Sequence, residues 1–314
     1  MKIVHAALAL LLFASPAAAG EGLRFQRIAD GRTVELAAVS ERAAASRVVF
    51  IGEAHDSAEQ HRQQLEIIRY LHARKVPLAV GIEMFASDAQ KQLDDWVQGK
   101  LEEEAFRRVY ASQWSFDWKL YRDIFLFARD NRIPLVALNV PKPVMSKVVR
   151  GGSASLGEAD RRELPPGGPW APNATQAEYL RRIRAQLGNR PSPFPLSNFM
   201  EAQALRNAAF AWNIARFREK SPKSLMVAIV GTWHAIRSGA PQDLRKHGNP
   251  PSMVILPQLP ELEAFPPGPE EADYLMLNAV PPATARPAGE QTSTPSPREG
   301  NPAKGDEHGK LPLR

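Results

Sequence analysis

Apolar residues along the chain fall into two kinds of pattern. Short unbroken runs rich in β-branched residues recur at 47–52, 78–84, 134–139 and 224–231, with a fifth at 252–256. Runs of this length and type predict strands buried on both faces of a parallel sheet. Between them the apolar positions take a helical spacing. Leu65, Ile68 and Leu71, with His72, mark one face of a helix over 57–75 that Pro77 stops, and Leu120, Ile124, Phe125 and Phe127 mark another over 118–131. A long helix is predicted over 198–220, and the carboxylate-rich stretch 88–111 predicts one or two short ones. Strands alternating with helices define the fold class as α/β, with a mainly parallel central sheet flanked by helices. The Pro-, Gly- and Arg-rich stretch from about 151 to 197 interrupts this alternation and reads as an insertion carrying a helix near 174–187.

The two ends differ from the middle. Lys2, the apolar run 3–13 broken only by His5, and the small residues Ser15, Ala17, Ala18 and Ala19 predict a signal peptide over 1–19. Residues 281–314 are rich in Pro, Gly, Ser, Thr and charges, and predict a disordered Pro-rich tail around an α/β domain spanning 20–280. No later stretch approaches the ~20 apolar residues of a membrane span. The absence of cysteine rules out disulfides, thiolate nucleophiles and a lipidated anchor. An exported chain without disulfides is expected in a bacterial periplasm, stabilised by a large core. The net charge of +6 is spread along the chain rather than set in a stripe, so nucleic acid is not an expected partner.

Four predicted strands each end in polar residues: Glu53 and His55 after the first, Glu83 on the second, Asn139 on the third, and His234 after the fourth. In an open parallel sheet these ends share one edge, where ligands bind, so residues far apart in the chain are expected to converge. Each has a plainer reading. Glu53 would cap a helix, Glu83 would sit in a structural ion pair, Asn139 would close a strand end, and either imidazole would be a satisfied turn residue. His61 reads as a solvated helix residue. The aromatic cluster of Tyr110, Trp114, Phe116, Trp118 and Tyr121 reads as helix-to-sheet packing, and Tyr179 lies in the insertion beside Arg181, Arg182 and Arg184. No nucleophile elbow, phosphate-binding loop or zinc-protease helix is present.

The run Phe50-Ile51-Gly52-Glu53-Ala54-His55-Asp56, with Gln64, Gly81-Ile82-Glu83-Met84-Phe85 and Gln90, resembles the ChaN-type haem-binding family. So do 114–121, Ala137-Leu138-Asn139-Val140-Pro141, Phe199-Met200-Glu201-Ala202-Gln203 and Gly231-Thr232-Trp233-His234. The resemblance implies an α/β fold and haem binding, and in some members a dimer and an outer-membrane lipid anchor. The chain departs from the pattern in lacking an anchoring cysteine, and in carrying Asn207 where an acidic residue is expected. The resemblance does not fix the iron ligand. His55 and His234 are the expected ones, with Tyr121 or Tyr179 as alternatives, Glu53, Glu83 and Asn139 around them, and cations near the insertion for the propionates. The expected place is the periplasm, or the periphery of the outer membrane, with haem or a related small ligand and a homodimer as partners. The same turns are distantly similar to those of erythromycin esterases and Tiki-type metalloproteases. That likeness implies a hydrolase in which Glu53 and His55 activate water directly or through zinc or manganese, Glu83 tunes the base or holds the metal, and His234 stabilises an oxyanion.

Overall fold

The computed structural model describes residues 22–186, 194–264 and 266–278. The signal-peptide segment, the tail and part of the insertion lie outside them. The strands are β1 (Arg24–Arg27), β2 (Thr33–Glu35), β3 (Val48–Glu53), β4 (Leu78–Ala86), β5 (Leu135–Asn139), β6 (Leu225–Gly231), β7 (Ser252–Pro257) and β8 (Tyr274–Met276). The helices are α1 (Leu36–Ala45), α2 (Ala58–Ala73), α3 (Gln90–Val97), α4 (Glu103–Gln113), α5 (Trp118–Asp130) and α6 (Lys142–Gly151). They are followed by α7 (Glu158–Arg161), α8 (Ala174–Gln186), α9 (Leu196–Lys220), α10 (Thr232–Ala235), α11 (Ala240–Leu244) and α12 (Pro260–Ala264).

All eight strands form one sheet in the order β2-β1-β8-β7-β3-β6-β4-β5. The six strands from β8 to β5 run parallel, and β1 pairs antiparallel with both β8 and β2. The mainly parallel sheet expected from the apolar runs is therefore present. The antiparallel margin of β1 and β2, and strand β8 beside it, are additions to it. Each of these strands is only three or four residues long.

Alternation along the buried strands divides the core in two. Val49, Ile51, Val80, Ile82, Val227 and Ile229 face α1–α5, while Val48, Phe50, Ala79, Met226, Ala228 and Val230 face α9–α12. A smaller cluster joins α6, the residues after it and the first half of α9. The chain moves outward from β3 to β4 to β5, then reverses through β6 to β7. Neighbours β3 and β6 thus send their connections to opposite faces, which opens a crevice at their carboxyl ends.

One sheet edge has its own closure. The Gln90 side chain donates to the Leu135 carbonyl and accepts from the Ala137 amide, each at 2.8 Å, occupying the outer side of β5 as a further strand would.

Candidate functional site

Register explains why the two Gly-x-x-His turns meet. Glu53, the last residue of β3, lies directly opposite Gly231, the last of β6, so both chains leave the sheet at the same level. Glu53 shares the alternation of Val49 and Ile51 and points toward α2 and α5. Its buried carboxylate accepts from His55 Nδ1 at 2.9 Å, Gln64 Nε2 at 2.9 Å and the Tyr121 hydroxyl at 2.5 Å. His61 Nε2 lies 3.3 Å away without hydrogen-bond alignment. The turn itself is fixed by Ser57, which caps α2, and by Gln60, whose side chain accepts the Ala54 N–H at 2.7 Å.

Burial alone would push the Glu53 carboxyl up; the His55 hydrogen bond and the adjacent imidazoles outweigh it and hold the carboxyl at about 2. For His55, burial pulls the imidazole down, and the Glu53 bond with the charges of Glu83 and Glu53 lifts it above its ordinary value. Because Nδ1 faces a carboxylate, it carries the proton. The Cε1–Nε2 edge lies beside Gly231, where a Cβ would come within 3.1 Å of Cε1 and 3.2 Å of Nε2. Trp114 meets the ring edge-on at 5.0 Å and Phe116 flanks it at 5.3 Å.

Glu83 points to the opposite face of the sheet and is fully buried. Its Oε2 accepts the Gly231 amide at 2.7 Å, and its Oε1 lies 3.5 Å from the Arg206 guanidinium and 3.9 Å from His234 Nε2. Burial would raise this carboxyl; the charges of His234, His55 and Arg206 and the Gly231 N–H hold it below its ordinary value. His234 is pulled down by burial to about 4, so at neutral pH the permanent positive charge facing Glu83 is that of Arg206. His234 Nδ1 faces Asn207 Oδ1 at 2.6 Å, so Asn207 orients the imidazole.

These groups line a cleft of about 460 Å³, within the range of small-molecule sites. Glu53, His55, Glu83 and His234 contribute its polar wall, and Leu180, Phe199, Trp233, Leu259 and Pro260 its apolar walls. Four of the strand-end residues expected to converge do so. Asn139 instead closes its own strand, donating to the Glu83 carbonyl at 3.0 Å and accepting from the Val140 amide at 2.8 Å. Tyr121 is not placed as an iron ligand: it is buried behind the sheet edge with its hydroxyl on Glu53. Burial and the Glu53 charge push that hydroxyl far up, so it stays protonated. Tyr179 packs on Trp233 at 5.3 Å, one residue from the cleft-lining Leu180.

One expectation needs correction. His61 is 2 % exposed rather than solvated, and its ring lies against Tyr121 at 4.0 Å. Among the described residues the cation lining the cleft is Arg206 of α9; in the insertion Arg181 and Arg182 pair with Glu178, and the Arg184 side chain lies outside the described residues. Phe199, Gln203 and Arg206 stand four and three residues apart, the spacing of one helix face, and all three line the cleft. That stripe was the available sequence signal. Among the described residues no group of three His, Asp or Glu side chains is disposed to hold a metal ion.

Comparison with known proteins places this geometry. The profile of the haem-binding uptake, Tiki superfamily, ChaN family matches residues 39–244. The chain belongs to this family. A solved ChaN of Campylobacter jejuni, described as binding haem cofacially, shares the fold at a TM-score of 0.65 with 14% identity, over 82% of this chain and 96% of that one. An erythromycin esterase, EreC, in its open conformation aligns at a TM-score of 0.45 with 13% identity over 82% of this chain and 83% of its own. The chloroplastic protein RETICULATA-RELATED 5 of Arabidopsis thaliana is 27% identical over 168 residues, 51% of this chain. The chain spans only 23% of that relative's length.

The cleft suits haem on three counts. It has apolar walls for a macrocycle. It has an arginine for a carboxylate. It has an imidazole whose Nδ1–H is held by a carboxylate, the arrangement that orients metal-binding histidines.

Proposed function

We propose that this ChaN-family protein binds haem in the strand-end cleft, with His55 as the axial ligand. One observation carries the reading: Glu53 holds His55 Nδ1 at 2.9 Å, and His55, with its Nε2 edge beside Gly231, lines a cleft that has apolar walls. Bound haem would supply an iron that takes a nitrogen ligand. Glu53 would orient that nitrogen and raise its basicity, and Arg206 would meet a propionate. His234, neutral above about pH 4, offers a second imidazole in the same cleft, and Tyr179 an alternative at the margin.

A haem titration followed in the Soret band tests this. Wild type is expected to give a saturable shift that is weakened and altered in His55→Ala. An unshifted band, or identical spectra for the two proteins, rejects the assignment.

The cofacial description of the C. jejuni protein supports a further reading, that two copies of this chain pair when loaded. Sedimentation with and without haem checks it. The composition of residues 1–19 supports a place in the cell envelope, with haem uptake or handling as the role, and fractionation of a tagged full-length protein checks that.

A second reading has its own support. A histidine oriented by a buried carboxylate is also the geometry of a general base, which would make the cleft a hydrolase site in which His55 takes a proton from water. Ester turnover by haem-free protein that is abolished in His55→Ala, with no Soret response in wild type, would favour it.

A further inference from the structure

The two imidazoles of the cleft are backed by different groups. His55 Nδ1 meets the Glu53 carboxylate at 2.9 Å, and His234 Nδ1 meets the side-chain carbonyl of Asn207 at 2.6 Å. Asn207 and His234 are both buried, so water competes little for their contact. A carbonyl oxygen has no hydrogen to give. The bond therefore exists only with the ring proton on Nδ1 of His234.

A neutral imidazole carries one N–H, and the other nitrogen keeps its lone pair. His234, held near 4, is neutral at neutral pH, so its lone pair falls on Nε2. The surroundings of Nε2 agree. Glu83 Oε1 lies 3.9 Å from it, whereas an N–H that donates to a carboxylate settles at about 2.9 Å. Glu83 takes its hydrogen bonds from the Gly231 amide at 2.7 Å and from Arg206 at 3.5 Å instead. Two acceptors thus stand near one another without a bond between them, on two residues that both line the cleft. Phe210 packs against the His234 ring at 5.1 Å and resists the rotation that would exchange its nitrogens. Asn207 Nδ2 has no partner among the described residues, so the bond to His234 is the interaction that sets the amide.

We propose that Asn207 is a positioning residue that fixes His234 in the Nδ1–H tautomer and so presents Nε2 to the cleft as a hydrogen-bond acceptor. The group it accepts is an O–H or N–H of a ligand, or a water shared with Glu83, and not a carboxylate or an oxyanion. Were the cleft a hydrolase site, His234 would receive a hydrogen bond from water rather than give one to an oxyanion, and Arg206 would be the group that meets that charge. Were it a haem site, Nε2 would stay free as a second nitrogen. The tautomer itself rests on neither reading.

It is read in haem-free protein at neutral pH, from the ring-nitrogen chemical shifts in long-range proton–nitrogen correlation NMR. The His234 signals are assigned by their loss in His234→Gln. Wild type is expected to show a protonated Nδ1 and a lone-pair Nε2. Asn207→Leu keeps the shape of the side chain and removes its oxygen. In that variant the ratio of Nδ1–H to Nε2–H forms is expected to fall about tenfold, for the loss of one buried hydrogen bond. Circular dichroism confirms that the variant is folded. A wild-type proton on Nε2, or on both nitrogens, overturns the proposal, and that result does not depend on the Asn207 variant. An unchanged ratio in folded Asn207→Leu overturns it too. Because no haem is present, failure of the haem reading in a Soret titration leaves this measurement to decide on its own.

Discussion

Glu53→Gln separates an organising carboxylate from an incidental one. The carboxylate receives Gln64 Nε2, the Tyr121 hydroxyl and His55 Nδ1, all within 2.9 Å. A glutamine of the same shape has one acceptor and turns an amide toward the remaining donors. Its folded pKa of about 2, against an ordinary 4.5, corresponds to roughly 3 kcal/mol of stability at neutral pH, at about 1.4 kcal/mol per pH unit. The raised His55 pKa expresses the same interaction and is not added again. Removing one partner of a buried pair typically costs about 3–5 kcal/mol, in the same range. Because the carboxyl is depressed, its contribution is present above pH 4.5 and is lost as pH falls toward 2. Urea unfolding is expected to show the variant roughly 3 kcal/mol less stable at pH 7, with the gap closing between pH 5 and 2. Equal stability at pH 7, or a gap that does not change with pH, refutes this reasoning.

Three further outcomes follow from the same geometry. Gly231→Ala puts a Cβ within 3.1 Å of the His55 ring; it is expected to weaken haem binding in a Soret titration and to cost about 1–3 kcal/mol in unfolding, as overpacking does. Haem affinity measured against pH is expected to fall as pH drops through the raised pKa of His55, because a protonated imidazole cannot ligate iron, while His234, held near 4, titrates in proton NMR only well below neutrality. Gln90→Ala uncovers the Leu135 carbonyl and the Ala137 amide; light scattering is expected to show increased self-association through the bared edge of β5.

Strands β3 to β7 were legible because each is a continuous apolar run, and such runs occur where a strand is covered on both faces. The convergence of Glu53, His55, Glu83 and His234 followed from the parallel direction of those runs alone. Strands β1, β2 and β8 were not legible. Arg24-Phe25-Gln26-Arg27 and Thr33-Val34-Glu35 are short and largely polar, and only their pairing across the sequence makes them strands. His61 escaped for a related reason. Its burial comes from contact with Tyr121 of α5, about sixty positions away, which the local spacing of α2 does not encode. Arg206 shares a helical stripe with Phe199 and Gln203, a spacing that places it on one face of α9 but does not by itself say that this face borders the strand ends.

Whether the His55 nitrogen, oriented by Glu53, ligates iron in the cleft is read by electron paramagnetic resonance of the ferric haem-loaded protein, through hyperfine coupling to a histidine nitrogen. Coupling is expected in wild type and in Tyr179→Phe, and its loss is expected in His55→Ala. Absence of coupling in wild type, or its persistence unchanged in His55→Ala, contradicts the account.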